Sequence, residues 1–314
     1  MGRNILRRIA MLFLVLFVTT FFTAMLTSLV RGDAVDALAP TGTPELKAQL
    51  RHELHLDVPV IERYKEWLND FLHGNLGYLY NGTTSKTEVI DSVKRTLPVS
   101  IKLMLGSQFV ALLFALPLGV ITAYKAGSMF DKTTNSLAFA LLAIPNFVIA
   151  LLLIYFLGVQ MQAYPIRWDD SLTGVNSIQN YVLPVISLAA GQVAIYMRLL
   201  RSDMIATLQE DYITMAKAKG MSSSRILWRH ALRPSSLTLL TVAGLNVGTL
   251  IGGAVVIEFI FGVPGLGFEI QSAVASHQYA ALESYVAIIA IGYILVNAGI
   301  DVLYSVLDPR IRRA

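Results

Sequence analysis

Long uncharged apolar runs alternate with short charged stretches along this chain, and that rhythm sets the first expectation. A helix crosses the hydrocarbon of a bilayer in about 20 residues. Six stretches reach that length: residues 9–30, 103–124, a span within the uncharged stretch 133–166, 181–200, 235–259 and 284–307. Pro117, Pro145 and Pro184 fall inside spans or at their ends. Helix bundles tolerate this because neighbouring groups re-satisfy the freed backbone. The first run starts with Arg3, Arg7 and Arg8 and precedes Ala37-Leu38-Ala39, as a cleaved signal peptide would. Its apolar stretch exceeds the roughly 7–15 residues of a signal core, so a retained span is expected.

Between the first two spans, residues 31–97 are polar and carry helical periodicity. Pro44 starts a helix with Leu46, Leu50 and Leu54 four apart, which makes one apolar stripe. A second helix follows Pro59, with Ile61, Tyr64, Trp67, Leu68, Phe71 and Leu72 on one side, until Gly74, Gly77 and Gly82 break the pattern. Such amphipathic helices are expected to lie on the membrane surface or to cap the bundle. His52-Glu53-Leu54-His55 is one residue short of a zinc-protease motif. With His73 nearby, the expectation is solvated histidines beside a leucine stripe rather than a metal site.

Composition agrees with the spans. Hydrophobic residues make up 55% and charged residues 15% of the 314 positions, with a mean hydropathy of +0.59. Soluble domains carry roughly 25% charge, so a soluble enzyme, a disordered chain and a nucleic-acid binder are all disfavoured. The chain has no cysteine, which removes disulfides, thiolate metal sites and cysteine nucleophiles. The basic pI of about 9.2 has a topological cause. If the N-terminus is cytoplasmic, the inside segments hold Arg3, Arg7, Arg8, Lys125, Lys132, Arg198, Arg201, Lys217, Lys219, Arg225, Arg229, Arg233, Arg310, Arg312 and Arg313. The two short outside loops hold only Arg167. Long loops cross largely regardless of charge, so both termini are expected on the cytoplasmic side.

The loop between spans four and five carries the most information. Residues 209–220 and 221–234 read as two short helices. Asp211 is placed to cap the first and Gly220 to end it. Serines 222–224 are placed to cap the second, and Pro234 to limit it. Arg225, Arg229 and Arg233 recur every four residues as a basic face. Ala216 and Ala218 would let another surface approach closely. Spacing alone leaves two readings open: a helical hairpin on anionic headgroups, or a docking site.

Asp211-Tyr-Ile-x-x-Ala216-x-Ala218-x-Gly220, followed by Arg229-His230-Ala231-Leu232-Arg233, resembles the coupling loop of ABC-importer permeases of the oligopeptide/dipeptide/nickel type. The resemblance spans nearly the whole chain. It includes Leu54-His-Leu-Asp57-Val-Pro59 with Arg63-Tyr64-x-x-Trp67-Leu68 and Gly74-Asn75-x-Gly77. It continues in Gly252-Gly253 through Glu258, Phe261 and Pro264-Gly265-x-Gly267, and in Asp301-x-x-Tyr304 with Asp308-Pro309-Arg310-Ile311-Arg312. The chain departs from the family pattern at Asp211 in place of glutamate, His55 in place of glycine and Asn75 in place of aspartate. These departures put the substrate class in doubt and leave the transport reading intact.

The resemblance implies an all-α integral membrane protein with six spans, forming half of a translocation pore in a prokaryotic cytoplasmic (inner) membrane. Its parts would be a first span over 1–30, an extracytoplasmic helical segment over 31–97, a five-span core over 98–307 and a tail over 308–314. The coupling loop would be 206–234. Asp211, Tyr212, Ala216, Ala218 and Gly220 would sit in a groove on a cytoplasmic ATPase. The implied partners are a second homologous permease, two ATPase subunits, an extracytoplasmic solute-binding protein and membrane lipid, with no nucleic acid. The chain itself would bind no cofactor and, having no G-x-x-x-x-G-K-[S/T] loop, would not be the ATPase; ATP and magnesium would reside on the ATPases. Peptides, nickel complexes and small oligosaccharides are all handled by similar permeases.

Polar residues at membrane depth complete the expectations. Gly244, Gly248 and Gly252 recur every four residues, a spacing that lets a neighbouring helix approach closely. Tyr293, Asn297, Asp301 and Ser305 form a polar stripe in the last span. Glu258, Asn297 and Asp301 are the candidate pathway or gate residues, each with a purely structural role as the alternative. Two competing classes remain. An intramembrane enzyme would need paired catalytic groups at depth, and no G-x-S-x-G, H-E-x-x-H or paired aspartates occur in the spans. A self-contained channel or secondary transporter would need no ATPase dock.

Overall fold

The architecture was read from a computed structural model, which describes residues 2–29, 34–81 and 85–307, with side chains for 12–29, 34–81 and 85–300. Arg31, Gly82, Thr83 and residues 308–314 lie outside the described residues, as do the side chains of Arg3, Arg7, Arg8, Asp301 and Tyr304. In chain order the elements are α1 (Gly2–Leu29), α2 (Ala34–Leu38), α3 (Pro44–Glu53), α4 (Val60–Leu72), β1 (Tyr78–Asn81), β2 (Ser85–Glu88), α5 (Val89–Tyr124), α6 (Met129–Ala143) and α7 (Asn146–Leu153). There follow α8 (Gln179–Leu208), α9 (Asp211–Ala218), α10 (Ser223–Arg225), α11 (Leu232–Phe261), α12 (Leu266–Ala275) and α13 (Tyr279–Leu307).

Among the described residues, five helices are long and apolar enough to cross a membrane, or six if α6 and α7 count as one bent span. The third expected span, within 133–166, falls on this bent pair. The chain bends by 102° between Met129–Ala143 and Asn146–Gln160, the latter being α7 continued by a π-helical stretch over Ile154–Gln160. Ile144 takes an extended conformation (φ −96, ψ 122), the region that the ring of Pro145 favours for the residue before it. Pro145 also lacks the N–H that would continue the ladder. By contrast Pro184 sits inside α8 without ending it.

The chain divides into two compact units. The first comprises 1–100 and 264–295. There α3 starts as its sequence dictates: Thr43 Oγ1 accepts from the N–H of Leu46 and Pro44 opens the helix. Its Leu50, with Leu46 and Leu54, packs on Val35 and Ala39. Helix α4 caps other helices rather than floating on a surface. Tyr64 and Trp67 are buried with Leu16, Ala24, Ala287 and Ala290. Thr20 Oγ1 and the Tyr64 hydroxyl are 2.9 Å apart. Trp67 Nε1 donates to Ser284 Oγ (2.9 Å), which donates on to the Leu76 carbonyl (2.7 Å). Strands β1 and β2 form an antiparallel hairpin with Tyr78 opposite Glu88 and Asn81 opposite Ser85. The helical periodicity of the segment gave no sign of it. Gln278 extends the hairpin with its side chain, accepting from Tyr80 N–H (2.8 Å) and donating to Tyr80 C=O (3.0 Å).

The second unit comprises 101–263 and 296–314. Its core is built from small and aliphatic residues of α5, α6, α8, α9 and α11, centred on Ala115, Tyr196, Leu200 and Leu239. Small residues let the long helices approach closely where apolar burial against lipid gives no net drive. Gly119 shows the fit: a Cβ there would stand 3.0 Å from the Leu200 side chain.

Candidate functional site

The loop after α8 carries the first candidate site. Glu210 has the extended conformation of a helix cap (φ −68, ψ 148), and Asp211 is the first helical residue. Asp211 is therefore not the cap, but its carboxylate still stands in the first turn, where the helix dipole favours negative charge. Gly220 ends the turn in the left-handed region (φ +73). The N–H of Met221 donates to the Ala216 carbonyl (3.2 Å) and that of Gly220 to Lys217 (2.9 Å), a glycine-dependent helix end.

Helix α9 has two distinct faces. Ile213 and Ala216 are buried in the core of the second unit. Tyr212 is 45% and Met215 60% exposed, and Asp211, Ala218 and Gly220 are exposed beside them. Ala216 thus faces the chain's own core, which corrects the expectation that it opens room for another protein. The outward apolar group is Met215, which spacing did not single out.

The second short helix expected in this loop is not separate. After Ser222, whose side chain makes no cap bond, α10 passes through a π turn at Ile226–Ala231 directly into α11. Pro234 lies in the first turn of α11 and does not end anything. Proline is tolerated inside this continuous helix because the wider π register before it loosens the ring's clash with the preceding turn. Arg225, Arg229 and Arg233 are exposed along this continuous helix.

A second concavity lies midway along the second unit's long helices. It has a volume of about 330 Å³ and opens at the α6–α7 break, where Pro145 and Asn146 meet Gln192 of α8 and Asn246, Thr249 and Gly253 of α11. Beside it, the buried Tyr196 hydroxyl donates to Gln108 Oε1 (3.1 Å), and Gln108 Nε2 reaches the Ala243 carbonyl (3.4 Å). These amides escaped the sequence reading because they lie on different helices with no shared spacing.

A buried ion pair also went unseen. Arg201 Nε and Nη2 donate to Asp131 Oδ1 (2.6 Å) and Oδ2 (2.7 Å). Asp131 also accepts from Gly127 N–H (2.8 Å) and Asn135 Nδ2 (2.7 Å). One local signal existed: Ser128 caps α6 and lies three residues before Asp131. The partner, 70 positions away, left no local trace. On the same side, the Arg198 guanidinium lies 3.8 Å from the Phe139 ring centroid.

The other expected residues are dispersed. Glu258 is buried in the last turn of α11, and Asn297 is half-buried on α13. Asp301 falls on α13 with its side chain outside the described residues. The glycine stripe divides. A Cβ at Gly244 would meet Ile300 at 3.0 Å, Gly248 is buried, and Gly252 faces open space. The histidines do not converge: His55 Nδ1 is 2.9 Å from Glu66, and His73 Nδ1 is 2.7 Å from the Asn69 carbonyl. Among the described residues no group of three or more His, Cys, Asp or Glu is placed to hold a metal.

A polytopic helical protein with polar groups at mid-span and a short two-faced helix outside the spans has the construction of a membrane transport component. Comparison with known proteins gives the family. Residues 115–313 match the family described as binding-protein-dependent transport system inner membrane component. Residues 1–104 match its N-terminal companion. A probable peptide ABC transporter permease of Sinorhizobium fredii is 32% identical, covering 99% of this chain and 100% of its own. A di/tripeptide transport system permease of Pseudomonas aeruginosa is 32% identical over 98% of both chains. A metal-staphylopine import system permease of Staphylococcus aureus is 32% identical over 99% of both. The chain belongs to the family of inner-membrane components of binding-protein-dependent transport systems. It is accordingly a multi-pass inner-membrane protein and the transmembrane permease component of an ABC importer.

Proposed function

We propose that the chain forms one half of a translocation pore, and that α9 couples it to a cytoplasmic ATPase subunit. The observation that carries this reading is the division of α9. Ile213 and Ala216 root the helix in the core of the spans, while Tyr212, Met215 and Ala218 stand outside it. A push on the outer face is thereby passed to α5, α8 and α11 through close-packed side chains, which transmit strain rather than absorb it. A second homologous permease would complete the pore. Two ATPase subunits would carry ATP and magnesium, this chain binding neither and catalysing no reaction. A solute-binding protein would deliver the cargo from outside.

Both termini and α9 are assigned to the cytoplasm. The warrant is the fifteen Lys and Arg of the inside segments against Arg167 alone in the short outside loops. Small peptides are the proposed cargo, following the names of the Sinorhizobium and Pseudomonas relatives.

The test is Gly220→Val in the reconstituted complex. A β-branched residue is strained at φ +73, so the chain after Lys219 is redirected and α9 tilts. Uptake and substrate-stimulated ATP hydrolysis should both collapse while the chain still inserts. A helix that merely rests on lipid would leave both intact, and a self-contained channel would show uptake with no substrate-stimulated ATP hydrolysis to lose. Labelling of Ser223→Cys by an impermeant thiol reagent from outside intact cells would overturn the orientation.

A further inference from the structure

We propose that the cavity at the α6–α7 break is a contact site for the cargo, and that it recognises the uncharged amide groups of a peptide backbone. This deepens the importer reading above and rests on it. Three elements bring their central residues to the cavity: the break between α6 and α7, the middle of α8 and the middle of α11. Polar side chains at the centre of a span face the bundle or a watery path, not lipid.

The polar groups are all amides or hydroxyls. Gln192 is 6% exposed, and its Oε1 has no hydrogen-bond partner among the described residues. A buried amide oxygen left unsatisfied is costly, and it lines a cavity in which a donor can be received. Asn146 lines the same cavity close to two glycines. A Cβ on Gly191 would stand 3.3 Å from Asn146 Oδ1, and one on Gly253 would stand 3.9 Å from its Nδ2. Asn246 and Thr249, one turn apart on α11, face the same space.

Among the described residues no charged side chain lines the cavity. A charged ion would lose its hydration there with no compensating charge. A peptide bond presents one donor and one acceptor, which an amide side chain matches with an acceptor and a donor. The volume lies at the small end of the range for small-molecule sites, sufficient for a short backbone segment in passage. The site differs from the Glu258, Asn297 and Asp301 set, which bears two carboxylates.

The experiment uses the full complex in proteoliposomes, with a casein digest as cargo and imported peptides counted by mass spectrometry against ATP hydrolysed. Gln192→Leu should lower the peptides imported per ATP by about ten-fold, the loss expected for one hydrogen bond at a transient state. Thr249→Val, an isosteric change at an exposed position, should lower it several-fold and guards against misfolding of the first variant. An unchanged ratio in both variants, with wild type importing peptides, overturns this site alone. A wild-type complex that hydrolyses ATP and imports no peptide overturns the peptide-importer reading, and this inference with it.

Discussion

Replacing Arg201 with methionine should unfold the second unit at a markedly lower temperature. The Asp131 side chain is only 4% exposed and that of Arg201 25%. The carboxylate accepts four hydrogen bonds, two of them from the guanidinium. Arg201→Met keeps the volume but leaves a buried carboxylate with only Gly127 and Asn135. Breaking a buried pair by removing one partner costs about 3–5 kcal/mol. At about 2–4 °C per kcal/mol for chains of this size, the midpoint should fall by roughly 6–20 °C. The pair itself contributes less than that figure, because its own desolvation offsets much of the attraction. The double variant Asp131→Leu/Arg201→Met should therefore recover at least half of the loss. The assay is intrinsic tryptophan fluorescence of the detergent-purified protein on heating. A single variant within 1 °C of wild type, or a double variant worse than the single, would refute the reasoning.

Four further outcomes follow from the geometry. Ala216→Trp should destabilise the chain by about 1–3 kcal/mol through overpacking, since Ala216 faces the core. Met215→Asp should leave thermal stability unchanged and abolish ATPase retention on co-purification; equal melting points for the two would contradict the assigned faces. Trp67→Phe should cost about 0.5–1.5 kcal/mol by removing the donor to Ser284, read as faster amide exchange in α4. Lys47, 2.7 Å from Asp36, holds that carboxyl below its ordinary value of 3.8, mainly by hydrogen bonding. A depressed folded value means the contact is intact above the ordinary range and lost as pH falls through the lower one. Protection of α2 and α3 should therefore drop below about pH 4, and Asp36→Asn should remove that pH step.

What the sequence determined is local. Apolar runs of sufficient length marked the stretches that fold into long helices, because an apolar segment without charge has a low cost in hydrocarbon only as a helix. Pro44 placed the start of α3, and Gly220 the end of α9, since a proline φ and a left-handed turn are properties of one residue. The family, too, was legible in motifs distributed along the chain, and the comparisons bear it out. What only the tertiary structure decided depends on which faces meet. Pro145 was visible, but a 102° break and a Pro184 that leaves α8 intact have the same one-residue signal. Their difference lies in the backbone each adopts in the fold: Ile144 is extended before Pro145, whereas the chain through Pro184 stays helical. Ala216 and Ala218 look alike in sequence, and only the position of the core turns one inward and leaves the other outside. Asp131 and Arg201, or Asn146, Gln192 and Asn246, share no spacing rule, because residues on different helices are brought together by packing rather than by periodicity. The mid-span amides are thus the part of the site that no single stretch of the chain could specify.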